Sequence, residues 1–185
     1  MAEFRHETDR LILRDWREED WPLFFEGTNT PRVMEWLGGV MDEEGMVAAR
    51  ERLERYQRDF GHTFWPVVRK DDKAILGFCG LKRCTDENGP FGMMEAGWRL
   101  REEAWGRGYA KEAAIATLNL AFGHFDANEV IAITVKPNLG SWGLMERLSM
   151  ERRRDLDFED VWWSKDYGAA IVYLVTKEIW RARKR

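Results

Sequence analysis

The chain has 185 residues, 44% of them hydrophobic and 34% charged, with a formal net charge of −4. This length suits one domain spanning 1–185, able to bury roughly 70% of the surface its unfolded form exposes. The negative balance argues against a nucleic-acid partner, no run approaches the ~20 apolar residues of a membrane helix, and Met1-Ala2-Glu3 leads into charged residues rather than a signal peptide, so a cytoplasmic protein is expected.

Residues 10–14 predict a first strand. Arg17-Glu18-Glu19-Asp20 opens a helix with acids in its first turn, where the helix dipole favours them. Thr30-Pro31 breaks that helix, 33–37 predicts another brief turn, and Gly38-Gly39 is a hinge. A longer helix is predicted from Asp42 to about Phe60, ended by Gly61. Segments 63–69 and 74–82 predict a hairpin across Lys70-Asp71-Asp72-Lys73. Cys79 and Cys84 then point to opposite faces of a strand and are not expected to bridge, and His6, His62 and His124 lack ligand spacing, so no metal is expected. After a loop at 85–90 comes a strand at 94–100.

Trp105-Gly106-Arg107-Gly108-Tyr109-Ala110 follows that strand, and Ala110, Ala113, Ala114, Thr117, Leu118 and Ala121 then recur at helical spacing. A strand, a glycine-bearing turn and a helix N-terminus form an anion-binding device, because the backbone can approach a ligand and unpaired amides point outward. A phosphorylated ligand is the functional reading, and a merely tight turn is the bland one. No Walker A run occurs, and a dinucleotide fingerprint is incomplete because Lys111 stands at its third glycine, although Asp126 is suitably spaced downstream.

Segment 130–135 reads as a β-branched strand, followed by Lys136-Pro137-Asn138, Ser141 and a helix at 141–148. A right-handed crossover through 94–135 makes those two strands parallel. Segment 150–153 predicts a strand, 155–166 an acidic, Trp-bearing excursion, and 169–176 a last strand before a solvated basic tail at 181–185.

Glu7-Thr8-Asp9-Arg10-Leu11-Ile12-Leu13-Arg14, Gly97-Trp98-Arg99-Leu100, the 105–110 turn and Asn138 with Ser141 together resemble the GNAT acetyltransferases, most closely the ribosomal-protein N-acetyltransferase (RimJ/RimL-like) branch. The resemblance covers about 8–176. It implies an α/β (α+β) fold: a mixed, mostly antiparallel twisted sheet of about six to seven strands, helices on both faces and a splayed central parallel pair. It also implies acetyl-CoA as acyl donor and an amine acceptor, and leaves room for a homodimer. Backbone groups of Trp98, Arg99 and Leu100 would hold the pantetheine arm with Asn138. Amides of the Trp105, Gly106, Arg107, Gly108, Tyr109 and Ala110 segment would meet the pyrophosphate.

Acyl transfer needs a neutral amine, a stabilised oxyanion and a departing thiolate. Glu95 is the candidate base, with Gly97 and Arg99 on its face of the strand. Ser141 is the candidate donor to the sulfur, alongside the plainer reading of a local helix-start bond. Met145 stands where many members carry a tyrosine acid. The leading expectation is therefore an N-acetyltransferase acting on a peptide α-amine or a small amine. The rivals are a catalytically silent acyl-CoA-binding module or sensor, and a nucleotide-dependent oxidoreductase. The acids and tryptophans of 157–163 are candidates for attracting a cationic acceptor.

Overall fold

A computed structural model describes residues 3–159 and 164–183. Its strands are β1 (Arg5–Glu7), β2 (Leu11–Arg14), β3 (Phe64–Arg69), β4 (Ile75–Arg83), β5 (Met94–Leu100), β6 (Glu129–Val135), β7 (Glu151–Arg152) and β8 (Ala170–Thr176). Hydrogen bonding orders them β1-β2-β3-β4-β5-β6-β8-β7. The pairs β1–β2, β2–β3, β3–β4, β6–β8 and β7–β8 are antiparallel, and β5–β6 is parallel. This is the mixed, mostly antiparallel sheet expected, with its parallel pair where the crossover rule requires it. The strand that the sequence reading lacks is β1. Arg5-His6-Glu7 offers no apolar alternation, and its form comes from pairing with β2, Arg5 opposite Arg14 and Glu7 opposite Ile12.

The chain divides into two compact units, Met1–Lys82 with Gly97–Thr117 and Arg83–Ala96 with Leu118–Arg185. In the first, α1 (Asp20–Thr28), α2 (Pro31–Met34) and α3 (Glu43–Phe60) accompany β1 to β4. Each helix start is legible chemically. Thr30 accepts from the Val33 amide ahead of Pro31, and Asp42 accepts from the Gly45 amide at 2.8 Å. Asp20 opens α1 as half of a buried ion pair, its carboxylate meeting both terminal nitrogens of Arg14 at 2.6 and 2.8 Å. Trp21, Phe24, Leu53 and Tyr56 pack with Ile12, Val68 and Ile75 to form this unit's core. A bulge shifts the β3–β4 register at Val67/Val68. Beside it Gly77 has φ +142°, and an added Cβ would lie 2.1 Å from the Arg99 carbonyl oxygen, so β4 meets β5 there at a distance only glycine permits.

The second unit holds β6 to β8, α5 (Leu139–Arg147), α6 (Ser164–Tyr167) and α7 (Lys177–Ala182) around Ile131, Phe158, Ala170, Val172 and Leu174. Helix α4 (Tyr109–Gly123) begins in the first unit and ends in the second. Residues 181–183 are exposed, as a solvated tail requires, although α7 forms with Thr176 as its cap and Arg183 donates to the Arg147 carbonyl at 3.0 Å. Asp157 is committed locally, pairing with Arg152 and accepting from the Val172 amide, which removes it from the set of carboxylates open to a cation. Residues 160–163 of that segment lie outside the described residues. Asp126 forms an ion pair with Lys177 at a turn where its φ is 50°, and this accounts for its position without a ribose. Both cysteines are buried, and no disulfide joins them. No helix among the described residues is long and apolar enough to cross a membrane.

Candidate functional site

The glycine turn has the geometry of an anion cradle. Gly106 (φ 70°) and Gly108 (φ 80°) both adopt the left-handed conformation that β-carbons oppose. Helix α4 starts at Tyr109, and the Glu112 amide bonds the Gly108 carbonyl at 3.0 Å. The amides of Tyr109, Ala110 and Lys111 precede that bond and are left to an outside acceptor at the positive end of a 15-residue helix. Nothing lies within 4 Å of a Cβ built at Gly106, so the cradle is open.

A brace from the connection between β1 and β2 holds this turn, a meeting the sequence does not display. Arg10 donates from Nη1 to the Arg107 carbonyl at 3.0 Å and from Nε to Glu112 Oε2 at 2.7 Å, and its guanidinium carbon lies 4.5 Å from the centre of the Tyr109 ring. Glu112 Oε1 accepts from the Thr8 hydroxyl at 2.6 Å and from the Arg10 amide at 2.9 Å. Partial burial acts to raise the Glu112 pKa, but the hydrogen bonds from Thr8 and Arg10 outweigh it and hold the carboxyl below its ordinary 4.5. The presence of Thr8, Arg10 and Glu112 was visible in sequence, but not their meeting.

Strand β5 leads into the turn, and its backbone alternates between two edges. The Arg99 carbonyl faces Gly77 of β4. Trp98 and Leu100 therefore present their N–H and C=O groups to the opposite edge. The Leu100 carbonyl accepts from the Trp105 indole at 2.8 Å. Of the three residues expected to hold a pantetheine arm, Arg99 turns its backbone towards β4, Leu100 has an acceptor already in use, and Trp98 best keeps a donor–acceptor pair for a ligand.

Glu95, Asn138 and Ser141 belong to the second unit. Glu95 is buried in β5, opposite Ile131 of the parallel strand β6. Asn138 caps α5: its Oδ1 accepts from the Ser141 amide at 3.2 Å, which leaves its Nδ2 to donate elsewhere. Ser141 thus makes the local helix-start bond through its amide, and its hydroxyl is a separate donor. Met145 is buried, so the position often held by a tyrosine acid contributes packing.

Arg99 presents a second feature, carried by its side chain rather than its backbone. The side chain is 9% exposed, yet among the described residues no carboxylate pairs with it. Burial, with Arg52 adding a like charge, pushes the guanidinium down to about 9, which still leaves a cation at neutral pH.

Known proteins resemble this chain in sequence and in fold. Residues 10–151 match the family described as Acetyltransferase (GNAT) domain. The uncharacterized N-acetyltransferase YnaD of Bacillus subtilis (strain 168) is 26% identical over 178 residues, 94% of this chain and 97% of that protein. The acetyltransferase from Agrobacterium tumefaciens str. C58 superposes with a TM-score of 0.80 at 23% identity, covering 95% of each chain. The GNAT-family acetyltransferase from Bacillus anthracis gives 0.76 at 24% identity, covering 95% of this chain and 99% of that one.

Proposed function

The chain belongs to the acetyltransferase (GNAT) domain family, and from that premise we propose that it transfers an acetyl group from acetyl-CoA to a primary amine by direct attack. The observation that carries this reading is the open turn at Gly106 and Gly108, with both glycines left-handed and free amides at the start of α4. Acetyl-CoA supplies an activated thioester carbonyl and a leaving thiolate. The turn amides take the pyrophosphate oxygens, and the Trp98 backbone pair with Asn138 Nδ2 holds the pantetheine amides. Glu95 accepts the proton of the acceptor ammonium, and the freed amine attacks the thioester carbonyl. As the C–N bond forms and the C–S bond breaks, the Ser141 hydroxyl hydrogen-bonds the departing sulfur, and the proton shed by the new amide nitrogen passes to that thiolate. That thiol has an ordinary pKa near 8.5 and needs little acid assistance, which suits a site with Met145 in place of an acid.

The acceptor we favour is an α-amine. It titrates near 7.7–8.0 against about 10.4 for a lysine side chain, so far more of it is neutral at pH 7. The motifs shared with the ribosomal-protein N-acetyltransferase branch support the same preference. Acetyl-CoA should quench tryptophan fluorescence, since Trp105 borders the turn, and NADH should not compete. A peptide carrying both amines should then be acetylated mainly at its α-amine, as mapped by fragmentation. Acetyl found on lysine overturns the α-amine preference, while binding without CoA release against a broad amine panel would mark a silent binding module.

A further inference from the structure

Two arginines of the first unit are buried, and they are treated differently. Arg14 is locked against Asp20 by two bonds. Arg99 meets only apolar and weakly polar groups. Its guanidinium carbon lies 4.6 Å from the centre of the Phe24 ring and 5.1 Å from that of Phe78. Its Nη1 points at the Met34 sulfur at 3.2 Å, and its Nε is buried with no hydrogen-bond partner. A thioether is a weak acceptor, and ring faces offset a cation's lost hydration only in part. A buried charge without a counter-ion costs stability, and such costs persist where function uses them.

The unpartnered part of this guanidinium has a definite shape. Both rings lie to one side of it and Met34 takes one corner, so Nε–H and one terminal N–H are left without a partner. Two parallel donors in one plane match the two oxygens of a carboxylate. The surface beside it is open. Phe78 stacks on Phe24 at 5.5 Å and on Phe64 at 4.8 Å. Phe64 in turn lies over Gly97, where an added Cβ would stand 2.6 Å from the ring. β3 and β4 are interior strands, yet both Phe64 and Phe78 remain partly exposed. An aromatic strip thus runs from Arg99 to Gly97, beside the Trp98 backbone.

We propose that Arg99 anchors a carboxylate of the acceptor while the aromatic strip holds its apolar body, so that the substrate class is apolar and aromatic amino acids with a free carboxylate. This rests on the acetyltransferase reading above and narrows its acceptor. A cationic polyamine or an amidated peptide end lacks the group Arg99 would receive. Sequence reading had no access to this, because Phe24, Met34 and Phe78 come from three separate elements.

CoA release from acetyl-CoA is compared for L-phenylalanine and L-leucine against their amides, at matched fractions of neutral amine. The wild type should prefer the acids by about 30-fold or more in kcat/KM, the scale of losing one charge-assisted hydrogen bond. In Arg99→Met that ratio should fall towards one, and Arg99→Lys should recover part of it. The ratio is the quantity read, so a general loss of rate in the variant does not confuse it. A second readout needs no turnover: N-acetylphenylalanine should raise the wild-type Tm and its amide should not, with neither acting on Arg99→Met. Equal use of acid and amide, or an unchanged ratio in Arg99→Met, overturns the proposal. Absence of CoA release with every amine sinks the acetyltransferase reading instead, and the Tm comparison still decides the carboxylate site. If Arg99→Met fails to fold, the acid–amide ratios of the wild type and Arg99→Lys decide it.

Discussion

Replacing Glu112 by glutamine tests whether the N-terminal brace holds the cradle in place. Glutamine keeps one carbonyl oxygen, which can still accept from Thr8 and from the Arg10 amide. Its amide nitrogen then faces Arg10 Nε across the 2.7 Å gap that Glu112 Oε2 now spans, setting donor against donor. Lost charge-assisted bonding is worth about 1.5–3 kcal/mol, and the half-exposed Arg10 side chain argues for the lower part of that range. At roughly 2–4 °C per kcal/mol for a chain of this size, Tm should fall by about 3–8 °C at pH 7. The sign of the pH dependence follows from the depressed Glu112 pKa. Its contribution is complete above the ordinary value of 4.5 and is lost as pH falls through the lower folded value. The gap between wild type and variant should therefore be wide at pH 7 and close below pH 4.5. Differential scanning calorimetry across pH 3–7 reads this directly, and acetyl-CoA titration should show weaker binding in the variant. A gap that stays constant with pH, or that never appears, refutes the brace.

Gly108→Val places a branched side chain at φ 80°, costing about 1–2 kcal/mol of strain and crowding Arg10 Nη2, which already lies 3.4 Å from an added Cβ. Acetyl-CoA affinity should drop at least ~10-fold with the far-ultraviolet circular dichroism retained, and wild-type affinity would show that the ligand lies elsewhere. Glu95→Gln should lower turnover by about 10²-fold with acetyl-CoA affinity little changed, and should flatten the acidic limb of the pH–rate profile. An unaltered rate would make Glu95 a structural carboxylate. Cys79 has its thiol pushed up to about 12 by burial, against a hydrogen bond with Thr117. Iodoacetamide at pH 8 should leave it unmodified in the native protein and alkylate it after unfolding in guanidinium; rapid native labelling contradicts the burial.

What the sequence displayed were elements with a strong internal period and caps of recognisable chemistry. Helix α3 has Asp42 at one end and Gly61 at the other, while α4 follows two glycines and β6 is a β-branched run. The glycine turn was legible because its requirements are local, as was Asn138 ahead of α5. Strand β1 was not, since its form depends on a partner strand rather than on its own residues. The short helix α7 was missed although Thr176, Lys177 and Glu178 carry a usable start signal. The Trp105 indole bond to Leu100 and the setting of Arg99 were hidden for a different reason. Each depends on where a side chain turns once distant elements have met, and pattern along a strand records only which face that side chain occupies.

The bond between Thr8 and Glu112 joins residues 104 positions apart. Closing so long a loop costs entropy that grows with its length, and no contact within 105–112 supplies this bond. The brace therefore forms only once the connection between β1 and β2 has reached α4. A ribosome that has just released α4 has made every amide of the turn, but the strap that braces those amides comes from residues synthesised a hundred codons earlier. Trimming the chain back to Leu11 would leave the cradle's own residues intact and take away the strap that aims them.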